Sequence, residues 1–229
     1  MYCVQHDKTA FTSTIYCQCF GPVRAAKTAF DLRFLIGEPR AVTVYYFFGY
    51  GSLVNRGTHV YAPIQKLHVH GWRRLWRQVS DHPAALLSVV PDAHSAIDGL
   101  LAPVPNNDWA ALDIREQGYH RLPLQPSALP QAQRTANIAI YSVPASRADA
   151  APQTHPILLS YLDVVLKGYL HEFGQPGVDA FLNSTDGWDR PVLDDRATPR
   201  YPRHQRLDDR ERAVVDAVLD QLDTDVITP

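Results

Sequence analysis

Residues 42–48, Val-Thr-Val-Tyr-Tyr-Phe-Phe, are β-branched or aromatic without interruption and run directly into Gly49-Tyr50-Gly51-Ser52. A short apolar run of this composition predicts a buried strand, and the glycines predict an abrupt turn at its end. Glycine lets the main chain take conformations closed to other residues and lets a ligand approach it closely. Successive amides in such a turn can cradle an anion, which suits a carboxylate or an oxygen that becomes negative during a reaction. The spacing excludes a dinucleotide fingerprint, a phosphate loop and the G-x-S-x-G elbow. Taken alone, the same residues read equally well as a plain tight turn.

The elements that follow set the fold class. Alternation predicts strands over residues 65–76, interrupted at Gly71, and over 84–90, 96–104 and 136–143, with Pro91-Asp92 turning the chain between the middle two. Asn106, Asn107 and Asp108 are good helix caps for a helix over 109–115 that stops at Gly118. Helical spacing recurs over 156–173, 178–182 and 209–222, the last with Val214, Val215, Val218, Leu219 and Leu222 on one face. Strands come early and helices late, without βαβ alternation. The expected class is therefore α+β, a small mixed β-barrel or strongly curved sheet with flanking helices. Residues 123–130 read as a proline-punctuated surface loop.

Composition excludes several function classes. A net charge of −2 gives no electrostatic footprint for nucleic acid. No apolar run is long enough to span a bilayer, and the first residues lack a secretory pattern, so a cytoplasmic protein is expected. Cys3, Cys17 and Cys19 are the only cysteines, an odd number without zinc-site spacing. All three lie in residues 1–41, whose periodicity is poor. That stretch is expected to be an N-terminal extension, disordered or a mis-assigned start, with the folded domain over 42–229.

Glu116 falls in the last turn of the helix expected at 109–115. The C-terminal end of a helix is partially negative, so a carboxylate there, if also buried, has its pKa raised toward the range a general base needs. Four ordered segments then resemble the γ-glutamylcyclotransferase superfamily, which includes the glutathione-degrading ChaC-type enzymes. Phe48-Gly49-Tyr50-Gly51-Ser52-Leu53 is similar to its Tyr-Gly-Ser loop. Gly71-Trp72-Arg73-Arg74-Leu75-Trp76 and Ile97-Asp98-Gly99-Leu100-Leu101 resemble two strands downstream. Leu112-Asp113-Ile114-Arg115-Glu116-Gln117-Gly118-Tyr119 resembles the segment carrying the family's catalytic glutamate.

The resemblance implies release of 5-oxoproline from a γ-glutamyl amide or peptide, by attack of the substrate's own α-amine. It implies Glu116 as catalytic acid and base, and Tyr50, Gly51, Ser52, Leu53 and Tyr119 as substrate-binding residues. It implies no metal and no organic cofactor, and a small γ-glutamyl molecule as the partner. The loop continues as Val54-Asn55-Arg56, where ChaC-type enzymes carry an aromatic residue, so the leaving group stays unnamed.

Other readings compete. A non-catalytic member of the same fold, binding a γ-glutamyl or other small molecule, is told apart by whether Glu116 faces the loop or bulk solvent. His68 and His70 lie two apart on an expected strand and, with His59, Asp81 and His82, are weighed as a metal set. Ser52 is weighed as a nucleophile, although no activating histidine is evident. Trp72, Arg73, Arg74, Trp76 and Arg77 are weighed as a nucleic-acid patch, but strand alternation divides them between two faces.

Overall fold

Strand β1 (Tyr45–Gly49) lies between two partners, and its alternating side chains enter two cores. Phe48 points into the larger core, with Leu67, Val69, Leu87, Ile97 and Ile140. Phe47 points into the smaller one, with Leu53, Ala102, Val104, Leu112 and Tyr141. A strand buried on both faces is continuously apolar, which is why Phe47 and Phe48 are both apolar although they face opposite sides. The computed structural model describes residues 43–148 and 154–229, and the extension expected at 1–41 lies outside them.

β1 pairs antiparallel with β3 (Leu86–Pro103) and parallel with β5 (Asn137–Ser142). β2 (Gln65–Arg77) pairs antiparallel with β3 along its whole length, and β4 (His120–Pro123) pairs antiparallel with β5. A two-residue β7 (Thr185–Asp186) adds to β2 in parallel, completing a six-stranded mixed sheet in the order β4-β5-β1-β3-β2-β7. A separate parallel sheet joins β6 (Ile157–Leu158), β8 (Val192–Leu193) and β9 (Val226–Ile227).

The α+β class holds, but no closed barrel forms among the described strands, because β4 and β7 are edges of the large sheet. Instead Ser142 and Ser88 link β5 to the start of β3. Ser142 Oγ donates to Val89 O (2.7 Å), and Val143 N donates to Ser88 Oγ (2.9 Å). Side chains, not a backbone ladder, hold the sheet's curl there.

Two expected strands prove to be one. Pro91-Asp92 does not reverse the chain: Pro91 stays in register with Trp72, and pairing resumes at Ala96 opposite His70. The four residues between form a bulge in which Asp92 accepts from His94 N (3.0 Å) and Ser95 Oγ (2.6 Å). A bulge absorbs extra residues and bends the strand without breaking it. β4 was not expected, since four mostly exposed residues ending in proline carry no alternation.

Helix α1 (Ala110–Arg115) begins where Asp108 Oδ1 accepts Ala110 N (2.9 Å). α2 (Leu159–Asn183) is broken at Gly174 (φ 69°), which separates the two helices expected over 156–173 and 178–182. α3 (Asp209–Leu222) starts with a capping box between Asp208 and Glu211. Helix α2 lies against the residues that follow β1, and Gly168 is the point of closest approach. A Cβ there would stand 2.7 Å from Asn55 N and 2.9 Å from Asn55 Cα, main-chain atoms that cannot swing aside. No helix among the described residues is long and apolar enough to cross a membrane.

Arg74 is 1% exposed, in the middle of this packing. Its Nε donates to Tyr50 O (3.1 Å) and its Nη1 to Ser184 Oγ (2.6 Å), while Nη2 bonds Asp98 O and the Tyr169 hydroxyl. Replacing it with methionine removes every one of these donors from buried acceptors, each of which costs roughly 1–3 kcal/mol when left unpaired. The expected loss for Arg74→Met in urea unfolding is about 3 kcal/mol. A loss under about 1 kcal/mol, the scale of an ordinary surface change, would contradict this account.

Candidate active site

The chain leaves β1 through Gly49 and Tyr50 and turns tightly over Ser52–Val54, with Val54 N bonded to Gly51 O (2.9 Å). Tyr50 is anchored at both ends. Its hydroxyl donates to Tyr141 O (2.7 Å), and its carbonyl accepts from Arg74 Nε and from the Tyr169 hydroxyl (2.8 Å). Gly51 lets the turn approach Tyr161 closely, because a Cβ there would stand 2.8 Å from the Tyr161 hydroxyl and would push the ring aside.

Asn55, where the sequence departs from the ChaC-type pattern, is buried and structural. Its Nδ2 donates to Val164 O (2.9 Å) in α2, and its Oδ1 accepts Gly57 N (2.9 Å). Arg56 forms a two-bond ion pair with Glu172 of the same helix. The departure therefore fastens the loop to α2.

Glu116 caps the C-terminus of α1, its N–H bonded to Leu112 O (2.8 Å). Its side chain is 17% exposed and does not face bulk solvent. Together with Phe48, Gly49, Tyr50, Gly51, Ser52 and Leu53 it lines a recess of about 30 Å³, closed by Leu87 and by Tyr119, Tyr141 and Tyr161. Ser52, Leu87, Glu116, Tyr119 and Tyr161 also line an outer cavity of about 240 Å³. The outer volume is below the roughly 300 Å³ at which pockets for drug-sized ligands begin, so the site suits a small metabolite.

Burial raises the Glu116 pKa above its ordinary value, and the charges of Arg115 and Arg203 pull the other way. The helix end invoked from sequence is a minor contributor, since α1 has only six residues. Arg115 was not singled out from sequence, yet it braces the site. Its Nε donates to Glu116 Oε1 (3.2 Å), its Nη1 to Thr58 O (2.7 Å) and its Nη2 to Thr58 Oγ1 (3.0 Å). Thr58 Oγ1 in turn donates to Ser52 O (2.9 Å), so the arginine links the carboxylate to the loop.

The surrounding phenols stay neutral. Burial lifts Tyr50, Tyr119 and Tyr161 well above the ordinary tyrosine value. Glu116 is the only carboxylate lining the recess.

The five loop and tyrosine residues selected from sequence converge on this site, with two refinements. The Tyr50 hydroxyl is committed to Tyr141 O, so what Tyr50 offers a ligand is main chain and ring. The Tyr119 hydroxyl donates to Leu87 O (3.0 Å), which leaves its oxygen lone pairs as acceptors. Tyr161 and Tyr201, from the distant C-terminal third, were missed; their rings pack edge to face at 4.9 Å.

The competing sets do not assemble. His59 Nε2 bonds Leu53 O (3.0 Å), His82 Nδ1 bonds Ala84 O (2.8 Å) and His68 Nδ1 bonds Asp98 Oδ1 (2.8 Å). The described residues hold no cluster of three or more His, Cys, Asp or Glu placed to share a metal. Ser52 Oγ has Arg115 Nη2 at 3.4 Å as its side-chain neighbour, not a histidine. Arg74 and Trp76 are buried while Arg73 reaches out to Asp186, so no basic stripe is displayed.

No protein-family model and no curated protein sequence matches the chain. Among solved structures, the chain is similar to a γ-glutamyl cyclotransferase, with a TM-score of 0.49 and 10% identity over 76% of this chain and 99% of that one. An uncharacterised human protein gives 0.48 and 10% identity over 76% and 98%. A glutathione-specific γ-glutamyl cyclotransferase from yeast gives 0.40 and 15% identity over 78% and 96%.

A group whose folded-state pKa is raised is easier to fold protonated than charged. Ionised Glu116 therefore costs stability, and that cost grows as pH rises through its folded-state pKa and vanishes below its unfolded one. Glu116→Gln is expected to melt no lower than the wild type at pH 8, with any advantage disappearing by about pH 4. A lower melting temperature at pH 8 would show that the carboxylate is held for stability.

Proposed function

We propose that the domain is a γ-glutamyl cyclotransferase, releasing 5-oxoproline and a free amine from a γ-glutamyl amide or peptide. The observation that carries this reading is the pairing of a buried carboxylate of raised pKa, Glu116, with the Gly49–Leu53 turn in one small recess. The ordered sequence segments that resemble the superfamily support it.

In this mechanism the substrate α-carboxylate lies against the leading amides of the turn, at Ser52 and Leu53. Such amides have no carbonyl partner within their own turn. The γ-glutamyl unit is folded so that its α-nitrogen meets its own γ-carbonyl, an orientation effect that makes the attack intramolecular. The α-amine arrives as an ammonium, and Glu116 takes one of its protons. The freed lone pair attacks the γ-carbonyl carbon, forming the ring C–N bond and a tetrahedral oxyanion. Glu116 then returns the proton to the leaving nitrogen as the old C–N bond breaks, which regenerates the carboxylate, and the surplus proton on the new ring nitrogen passes to the released amine, which departs as an ammonium.

A base that must later act as an acid works best with a pKa near the working pH. Burial moves Glu116 that way, and the charge of Arg115 opposes the shift. Arg115 also fixes the direction of the carboxylate through Nε.

Glu116→Gln keeps shape and removes the base. It is expected to lower 5-oxoproline release from γ-glutamyl substrates by about 10²-fold or more with the fold intact, the usual worth of a positioned acid/base. Near-normal release by a folded variant would dismiss the role. Because the active form is the carboxylate, kcat/KM is expected to fall toward acid pH. The midpoint should lie above the ordinary carboxylate range of about 4. A profile flat down to that range would contradict a raised pKa.

A further inference from the structure

The outer cavity is lined by four arginines, and two of them are already satisfied. Arg115 is occupied by Glu116 and Thr58. Arg147 makes a two-bond ion pair with Asp81 and donates to Gly118 O (3.0 Å). Arg200 and Arg203 also line the cavity, but neither side chain has a hydrogen-bond or ion-pair partner among the described residues.

Their segment is held in place. Asp195 is 0% exposed and accepts Ser160 N (2.8 Å), Ser160 Oγ (2.6 Å) and Arg200 N (2.8 Å). Tyr201 N donates to Ser160 Oγ (3.2 Å), and the Tyr201 ring packs on Tyr161 of the inner recess. The start of α2 and a buried carboxylate thus fix the main chain at Arg200 and Tyr201 beside the cavity that adjoins Glu116, and the exposed side chains of Arg200 and Arg203 line its wall. The remaining lining there is mostly apolar, from Ala84, Ala85, Leu87, Leu158 and Pro202.

We propose that Arg200 and Arg203 form a carboxylate-binding subsite for the leaving amine, which makes the preferred substrates γ-glutamyl amino acids or short γ-glutamyl peptides instead of uncharged γ-glutamyl amines. This rests on the cyclotransferase reading for its placement. The leaving nitrogen must sit at Glu116, because that residue protonates it. Whatever the nitrogen carries then extends into the outer cavity, toward the two arginines. In an α-amino acid the carboxylate lies only two bonds from that nitrogen. It would be the second carboxylate of the substrate, near a third on Glu116, and like charges at such range need cations between them. Arginine matches a carboxylate with two parallel N–H donors.

The test compares γ-glutamyl-alanine with γ-glutamyl-alaninamide, which differ only in that carboxylate. The wild type is expected to favour the acid by about tenfold or more in kcat/KM, a typical worth for a charge-assisted contact. The ratio should fall to about threefold or less in Arg200→Gln/Arg203→Gln, and stay higher in Arg200→Lys/Arg203→Lys, which keeps the charges. A ratio taken on one protein preparation is insensitive to partial misfolding. The same two compounds are titrated by calorimetry into Glu116→Gln, with and without the arginine changes.

If no compound releases 5-oxoproline, the cyclotransferase reading fails. The subsite then stands if γ-glutamyl-alanine still binds more tightly than its amide and the arginine changes abolish the difference. Equal or undetectable binding of the two, or an acid preference unchanged in Arg200→Gln/Arg203→Gln, overturns the proposal.

Discussion

The buried guanidinium of Arg74 is the interaction on which the rest of the arrangement depends. Arginine does not lose its charge in proteins, so the fold has to supply a full set of acceptors in the interior. No carboxylate does this among its described partners. The loop carbonyl at Tyr50, the β3 carbonyl at Asp98 and the Ser184 hydroxyl take the donors, and the Tyr169 and Phe181 rings lie 5.1 Å from the guanidinium carbon. Each acceptor belongs to a different part of the chain. Satisfying one cation therefore fixes β2, β3, the turn after β1 and the end of α2 relative to one another. Lysine, a single point donor on a flexible stem, could not span these directions.

That constraint helps the turn to be tight. Tyr50 is held by its carbonyl from below and by its hydroxyl from the side, and Asn55 ties the far end of the turn to Val164 O. The Gly51–Tyr161 approach and the Gly168–Asn55 approach remove the remaining freedom. A recess built this way is shaped before a ligand arrives, so little ordering is left to be done on binding. Glu116 can then be buried at its edge, with Arg115 the brace that prevents a desolvated carboxylate from turning out to water.

Patterns with local causes could be read from the residues, and those with distant causes could not. The aromatic run before Gly49, the interruption at Gly71 and the helix over 209–222 all rest on neighbouring residues, and they appear as expected. Pro91-Asp92 misled because a proline-aspartate pair starts a bulge as readily as a reversal, and only the partner strand decides. β4 is an edge strand whose pairing with β5 supplies what its own composition lacks. Asp195 and Ser160 are 35 residues apart and carry no shared motif, so their clamp on Arg200 and Tyr201 is visible only in three dimensions. Glu116 is buried as expected, although from the sequence its raised pKa rests on a helix end together with that burial. Its surroundings show that burial among Leu87, Tyr119 and Tyr161 is the stronger cause.

The inner and outer parts of the site differ in a way that follows from charge. The inner recess is walled by phenols whose burial keeps them neutral, so they shape and hydrogen-bond without competing for protons. All the formal charge there belongs to Glu116. The outer cavity is the reverse, with four guanidinium groups around a mostly apolar floor. Arg115, nearly buried beside Glu116, favours its charged form directly, whereas the exposed Arg200 and Arg203 sit nearer water, where their effect on Glu116 is screened. Arg203 shows the compromise: it lowers the Glu116 pKa, but as the least of the contributions and against a larger effect of burial. In the proposed reaction the site is thereby divided by depth, with the γ-glutamyl unit and proton exchange inside and the leaving group's carboxylate received outside.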